Sequence, residues 1–263
     1  MCLLVLAWQA HPRYRLVVAA NRDEYHARPA APLARWGPPQ DLLAGRDLSA
    51  GGTWLGLDRA RRFAVITNFR DLQATPPGAP SRGGLIPQFL AGAARAADYA
   101  QALAPRAAAY AGFNLLLADE AQLWYVGNRA SPAARPLPAG VHGISNEHLD
   151  APWPKLVRVR AGFTAWLAQE EAPEEALFEL LADRTRVSAP ARPEVPGLTA
   201  EWQQVLSAPF VLHPQYGTRC STVLRLEPTG QLRLTERRFD AQGVPLGERR
   251  YVLAPGEWPA LEP

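Results

Sequence analysis

Cys2 carries the strongest nucleophile in the N-terminal stretch, and it follows the initiator Met1 directly. A small second residue allows the initiator to be trimmed, which would leave a cysteine bearing a free α-amine. A thiol attacks only as its thiolate, and its ordinary pKa near ~8.5 falls beside a cation. The α-amine, with a pKa of about 7.7–8.0, can take the thiol proton and later return it to a leaving amine. A permanent cation for this purpose is Arg22, inside the polar run Asn21-Arg22-Asp23-Glu24. The competing reading makes Cys2 a small apolar residue starting a strand and the polar run a solvated turn.

Two apolar runs, Leu3–Trp8 and 15–20, flank the turn-prone Gln9-Ala10-His11-Pro12-Arg13-Tyr14 and predict a β-hairpin. With Leu3 opposite Ala20, Cys2 falls beside Asn21 and Arg22. A second hairpin is expected from 53–57 and 62–68, folding at Arg59-Ala60 and bringing Asn68 next to Gly51-Gly52. Asn68 is a candidate amide donor to an oxyanion, or a turn cap. The Gly51-Gly52 pair offers exposed amides or a tight turn; no Lys-Ser/Thr follows it, so it is not a phosphate loop. A third hairpin is predicted from Phe113–Ala118 and Leu123–Gly127. The segment 140–148 reads as a short strand ending on Asn146.

Elsewhere, 26–32 and 36–39 read as proline-rich loops, and 131–139 as a proline-rich linker. Alanine-rich 88–110 predicts two helices broken at Pro105. A helix to about residue 169 is expected with Asp150 as its N-cap, then helices over 173–183 and 198–206 with a loop at 188–196 between them. Short 210–212, the strands Tyr216–Leu226 and 231–239, and an edge strand at Val252-Leu253 close the chain. Strands at both ends with helices between them predict a layered α+β fold in a single domain over 1–263.

At 263 residues, 48% hydrophobic and 20% charged, the composition is that of a globular protein with a substantial core. The net charge is only +3, the basic residues are nearly all Arg with Lys155 the single lysine, and no basic run interleaves with aromatics. Nucleic acid is therefore not expected as a partner. Two cysteines, Cys2 and Cys220, make no disulfide framework and suggest a reducing compartment. The N-terminal apolar run is too short for a signal peptide, and nothing approaches the roughly 18 apolar residues of a membrane span. The expectation is a cytoplasmic protein with a small-molecule ligand or substrate.

The ordered motifs resemble the NRDE family, that of the transport and Golgi organisation protein two. They are Met1-Cys2, Asn21-Arg22-Asp23-Glu24, Gly51-Gly52-Thr53-Trp54, Thr67-Asn68-Phe69-Arg70-Asp71, Ser81-Arg82-Gly83, Ser145-Asn146-Glu147 and Pro152-Trp153-Pro154-Lys155. This family is distantly similar to cysteine N-terminal-nucleophile hydrolases such as penicillin V acylase and bile salt hydrolase. The resemblance implies a four-layer αββα sandwich with the N-terminal Cys at the end of a central strand. It implies Cys2 as nucleophile, Arg22 as the first Arg, Asn68 and Asn146 as the two Asn, and Arg219 as the later Arg. The hydrolases carry an Asp three positions after that Arg, where this chain has Tyr25, so Asp23 is the candidate acid.

Two functions follow. One is an amidohydrolase or acyltransferase acting on a small amide or acyl thioester, with Cys2, Arg22, Asp23, Asn68, Asn146 and Arg219 catalytic. Asn21, Glu24, Gly51, Gly52, Trp54, His142 and His148 are its expected substrate contacts. The other is a non-catalytic carrier of haem or acyl-coenzyme A, in keeping with the family's association with haem trafficking and acyl-coenzyme A metabolism. In that case His142 and His148 are candidate haem ligands, haem being cargo; no resident cofactor or metal is expected.

Overall fold

The computed structural model describes residues 3–70, 77–188 and 197–261. Cys2, Asp71 and most of the expected loop 188–196 lie outside them. The chain divides into two compact units, one of Met1–Ala27, Ala139–Pro228 and Arg233–Arg250, the other of Arg28–Pro138, Thr229–Leu232 and Tyr251–Pro263. Numbered along the chain, the described residues form strands β1 to β13 and helices α1 to α5.

The first unit is built on a six-stranded sheet in the order β10-β1-β2-β11-β12-β13. Its strands are β1 Leu3–Trp8, β2 Leu16–Tyr25, β10 Gly140–Ile144, β11 Tyr216–Leu226, β12 Leu232–Phe239 and β13 Pro245–Leu253. On one face lie α3 Pro154–Leu167 and α4 Glu174–Leu181. Helix α3 starts on Pro154, whose fixed φ and missing amide hydrogen suit a first turn. Its Leu156, Val159, Phe163 and Trp166 recur at helical spacing and meet Leu3, Val5, Ala7, Val17, Ala19 and Val223 of the sheet. The intervening Leu4, Leu6, Val18 and Leu224 are also buried, so these strands are covered on both faces. Each fully buried Leu or Val contributes about 1.5–3 kcal/mol by leaving water. Short α5, Ala200–Val205, is capped by Thr199, which accepts from the Trp202 amide.

The second unit holds a seven-stranded meander, β3-β4-β5-β6-β7-β8-β9. Its strands are β3 Ala30–Arg35, β4 Leu43–Asp47, β5 Leu55–Leu57, β6 Phe63–Asn68, β7 Phe113–Ala118, β8 Leu123–Gly127 and β9 Ala134–Leu137. Helices α1 Leu85–Leu90 and α2 Ala96–Leu103 pack Ile86, Phe89, Ala100 and Leu103 on Ile66, Phe113, Leu115 and Leu117.

Several expectations need correction. The first hairpin pairs Leu3 with Asn21 rather than Ala20, because Gln9 turns at φ 47° and its amide bonds to Arg15 O, leaving a five-residue loop. The proline-rich stretches contain edge strands β3 and β9, where a missing amide hydrogen is tolerated. The alanine-rich helical stretch breaks already after Leu90, before Pro105. Asp150 is not an N-cap: α3 begins after Trp153, and Asp150 holds the β10 edge instead. The third hairpin and β11 match the sequence reading residue for residue.

Candidate functional site

Strand alternation splits the run Asn21-Arg22-Asp23-Glu24 at the end of β2. Odd-numbered residues of β2 face the helices, so Asn21 and Asp23 point one way and Arg22 and Glu24 the other. Asn21 is fully buried: its amide donates to Leu181 O at 2.8 Å and Pro209 O at 3.0 Å, and its carbonyl oxygen accepts from Ser221 Oγ at 2.6 Å. These bonds fasten the end of α4 and the segment after α5 to the sheet. Asp23 is equally buried and accepts from Thr218 Oγ1 at 2.7 Å, while Thr218 Oγ1 accepts from the Val211 amide. Two members of the polar run therefore organise the scaffold, on the face away from Arg22.

Arg22 is 3% exposed and stands across from Cys220 in the β2–β11 pair. A bulge between Thr218 and Cys220 inserts Arg219, which turns toward the same neighbourhood. The Arg219 Nη1 donates to Tyr25 O and His26 O. Burial first, then the like charges of Arg22 and Arg238, holds the Arg219 guanidinium below its ordinary pKa, against the pull of Cys220 and Glu24. Burial, followed by the Glu236 carboxylate, pushes the Cys220 thiol well above its ordinary value. Buried beside a carboxylate that disfavours its thiolate, Cys220 lacks the electropositive, accessible setting of a reactive thiol.

The other end of the site comes from β10. Ile144 pairs with Leu4 and Asn21 with Leu3, so Asn146 and Arg22 flank the start of β1 on its two sides. Asn146 is buried in a left-handed turn at φ 59°, a conformation Asn tolerates better than most residues. Asp150, also left-handed at φ 61°, accepts from the Gly143 amide at 2.8 Å and from Arg160, and its Oδ2 lies 3.1 Å from His142 Nδ1. Burial alone would raise the Asp150 carboxyl, but His142, the Gly143 amide and Arg160 together hold it below its ordinary value. His142 is thereby tied to the turn that shapes Asn146, while His148 is exposed, with Glu147 3.6 Å away. Among the described residues no group of three His, Cys, Asp or Glu side chains is placed to hold a metal ion. Lys155 is buried and donates to Ala208 O.

In the second unit the glycine motif packs against the Ser81-Arg82-Gly83 turn. Gly51 turns at φ 74°, and a Cβ on Gly52 would run into the Gly83 carbonyl, with Gly83 O only 2.5 Å away. The Thr53 amide donates to Gly83 O at 3.1 Å, and Arg82 Nη1 to Gly112 O at 2.8 Å. Trp54 is buried over Gly45, where any side chain would meet its ring. Gly51-Gly52-Thr53-Trp54 and Ser81-Arg82-Gly83 therefore interlock with one another. Asn68 ends β6, half-buried, opposite Phe113.

The residue that sequence reasoning missed is Glu236, 2% exposed in β12. Its signal was present: Leu232, Leu234 and Glu236 alternate, so a carboxylate occupies a position of the buried apolar face.

The fold is that of the N-terminal-nucleophile hydrolases: a solved structure of a Caenorhabditis elegans N-acylethanolamine-hydrolyzing acid amidase ortholog matches it with a TM-score of 0.50. The match covers 86% of this chain and 93% of that one, at 13% identity. The model of the Transport and Golgi organisation 2 family matches residues 1–241, and the chain belongs to that family. Similar relatives are the Transport and Golgi organization 2 homolog of Mus musculus, 31% identical, and its Bos taurus counterpart, 33% identical. Each alignment covers 90% of this chain and 92% of the relative. The Drosophila melanogaster Transport and Golgi organization protein 2 is 24% identical over 90% of this chain and 91% of its own. Among the described residues, no helix is long and apolar enough to cross a membrane.

Proposed function

We propose that this protein is an acyl-transferring enzyme of the cysteine N-terminal-nucleophile type, acting on a small amide or acyl thioester. The observation that carries the reading is the buried guanidinium of Arg22 beside the start of β1, with its neighbours Asn21 and Asp23 turned away into the scaffold. A cation that is 3% exposed beside the strand that Cys2 precedes is suited to stabilising a thiolate. The amidase named among the structural neighbours cleaves an acyl amide, which favours carbonyl chemistry of that class.

In this mechanism removal of Met1 frees the α-amine of Cys2, which takes the thiol proton. The thiolate attacks the acyl carbonyl carbon, forming a carbon–sulfur bond and a tetrahedral oxyanion. Asn146, held in its left-handed turn, donates to that oxygen, an interaction worth about 2.7–4 kcal/mol where such donors have been removed. Collapse breaks the carbon–nitrogen or carbon–sulfur bond, and the ammonium returns its proton to the leaving amine or thiolate. Water or an acceptor amine then takes the acyl group from Cys2 and regenerates the thiol. Arg219 would receive a substrate carboxylate or phosphate.

The test is the intact mass of the purified protein with and without a thiol-directed acyl electrophile. A mass lacking Met1 and a single adduct that disappears in Cys2→Ala supports the reading. A retained Met1 with an inert Cys2 overturns it.

A further inference from the structure

Three neighbouring strands carry Arg22, Cys220 and Glu236 on one face of the sheet. Asn21 and Ser221 bond to each other on the helix-bearing face, and Thr235 and Arg237 reach Glu174 and Glu175 of α4 on that face. Alternation therefore puts Arg22, Cys220 and Glu236 together on the opposite face, in adjacent strands β2, β11 and β12. Cys220 is the cross-strand partner of Arg22, and the Glu236 carboxylate raises its thiol while Arg22 opposes that. A carboxylate and a guanidinium, 2% and 3% exposed, thus flank one thiol. Isolated in an interior, either charge would carry a large desolvation cost.

We propose that Glu236 is the positioning residue for Arg22, its carboxylate serving as the buried counter-charge that fixes the guanidinium at the end of β2 and moderates its field. This rests on the proposed role of Arg22 as the thiolate-stabilising cation. The charged groups of this end of the sheet are Arg22 and Glu24 on β2, Arg219 on the β11 bulge, and Glu236 and Arg238 on β12, with the Cys220 thiol among them. Among the described residues three cations thus stand against two carboxylates. Removing the charge of Glu236 leaves Arg22 undercompensated and makes the local field more positive. A thiol responding to that field then ionises at lower pH.

The experiment measures the rate of Cys2 alkylation by iodoacetamide from pH 5 to 10, by intact mass, in the parent, Glu236→Gln, Arg22→Met and the double variant. Glu236→Gln is expected to lower the pH midpoint by about half a unit or more, and Arg22→Met to raise it by a similar amount. A residue that only fills space would leave the midpoint in place. If Arg22→Met moves the midpoint and Glu236→Gln does not, the acyl-transfer reading stands and this inference is overturned. If Cys2 of the parent is inert throughout, both fall.

Melting temperatures provide a readout independent of Cys2. Glu236→Gln is expected to lose about 10 °C, and adding Arg22→Met is expected to recover part of that loss. Strictly additive losses would show that the two charges are uncoupled and would overturn the pairing.

Discussion

Arg22 and Cys220 are cross-strand partners in the β2–β11 pair, on the face of the sheet opposite to Asn21 and Asp23. A four-residue polar run is thereby divided between two tasks. Asn21 and Asp23 tie loops and helix ends to the sheet, while Arg22 contributes charge to the cluster at the strand end.

The scaffolding role of Asn21 predicts a stability defect. Asn21→Ala leaves the carbonyls of Leu181 and Pro209 and the hydroxyl of Ser221 without their partner. Unfolding free energy from urea titration is expected to fall by about 3 kcal/mol. A loss below about 1 kcal/mol would mean that those groups find other partners.

Cys220 is predicted to be chemically silent in the folded protein. It is buried, and burial together with the Glu236 carboxylate pushes its thiol well above its ordinary pKa. Iodoacetamide at pH 8 should leave it unmodified in native protein and alkylate it fully in urea, read by peptide mass. Native labelling of Cys220 at a rate typical of an exposed thiol would contradict its burial opposite Arg22.

Gly51 and Gly52 should differ sharply in tolerance. Gly52→Ala drives a Cβ into the Gly83 backbone and is expected to cost about 3 kcal/mol, since backbone rather than a side-chain tip must move. Gly51→Ala meets open space and suffers only the strain of φ 74°, about 1 kcal/mol. Urea midpoints of the two variants test the ranking, and equal losses would refute the interlock.

Asp150 should make the protein acid-sensitive. Its folded pKa is depressed, so its stabilisation is present above the unfolded value near ~3.9 and is lost as pH falls through the folded pKa. Asp150→Asn is expected to lose about 1 kcal/mol at pH 7, a modest figure because the side chain is 35% exposed. Between pH 5 and 3 the variant should decline less steeply than the parent. Parallel pH profiles from urea midpoints would remove Asp150 from the linkage.

How far the sequence could be read depended on whether a feature was local. The hairpin of β7 and β8 was legible because apolar runs flank a short polar turn, Asp119-Glu120-Ala121. The edge strands β3 and β9 were hidden, since proline weakens strand propensity and only the neighbouring strand's hydrogen bonds overrule it. The glycine motif was visible as a motif, but its partner, Gly83, lies some thirty residues away and no local pattern links the two.

The sequence by itself determined the α+β class, the family, and the polar residues that end the strands, because apolar periodicity and motif order are properties of the chain. Only the tertiary structure decided which of those polar residues serve the scaffold and which form a charged cluster. Strand alternation sends adjacent side chains to opposite faces, and sheet pairing brings residues of distant segments onto one face. Asn21 and Arg22 are neighbours in sequence with different surroundings; Arg22, Cys220 and Glu236 are distant in sequence and act on one another.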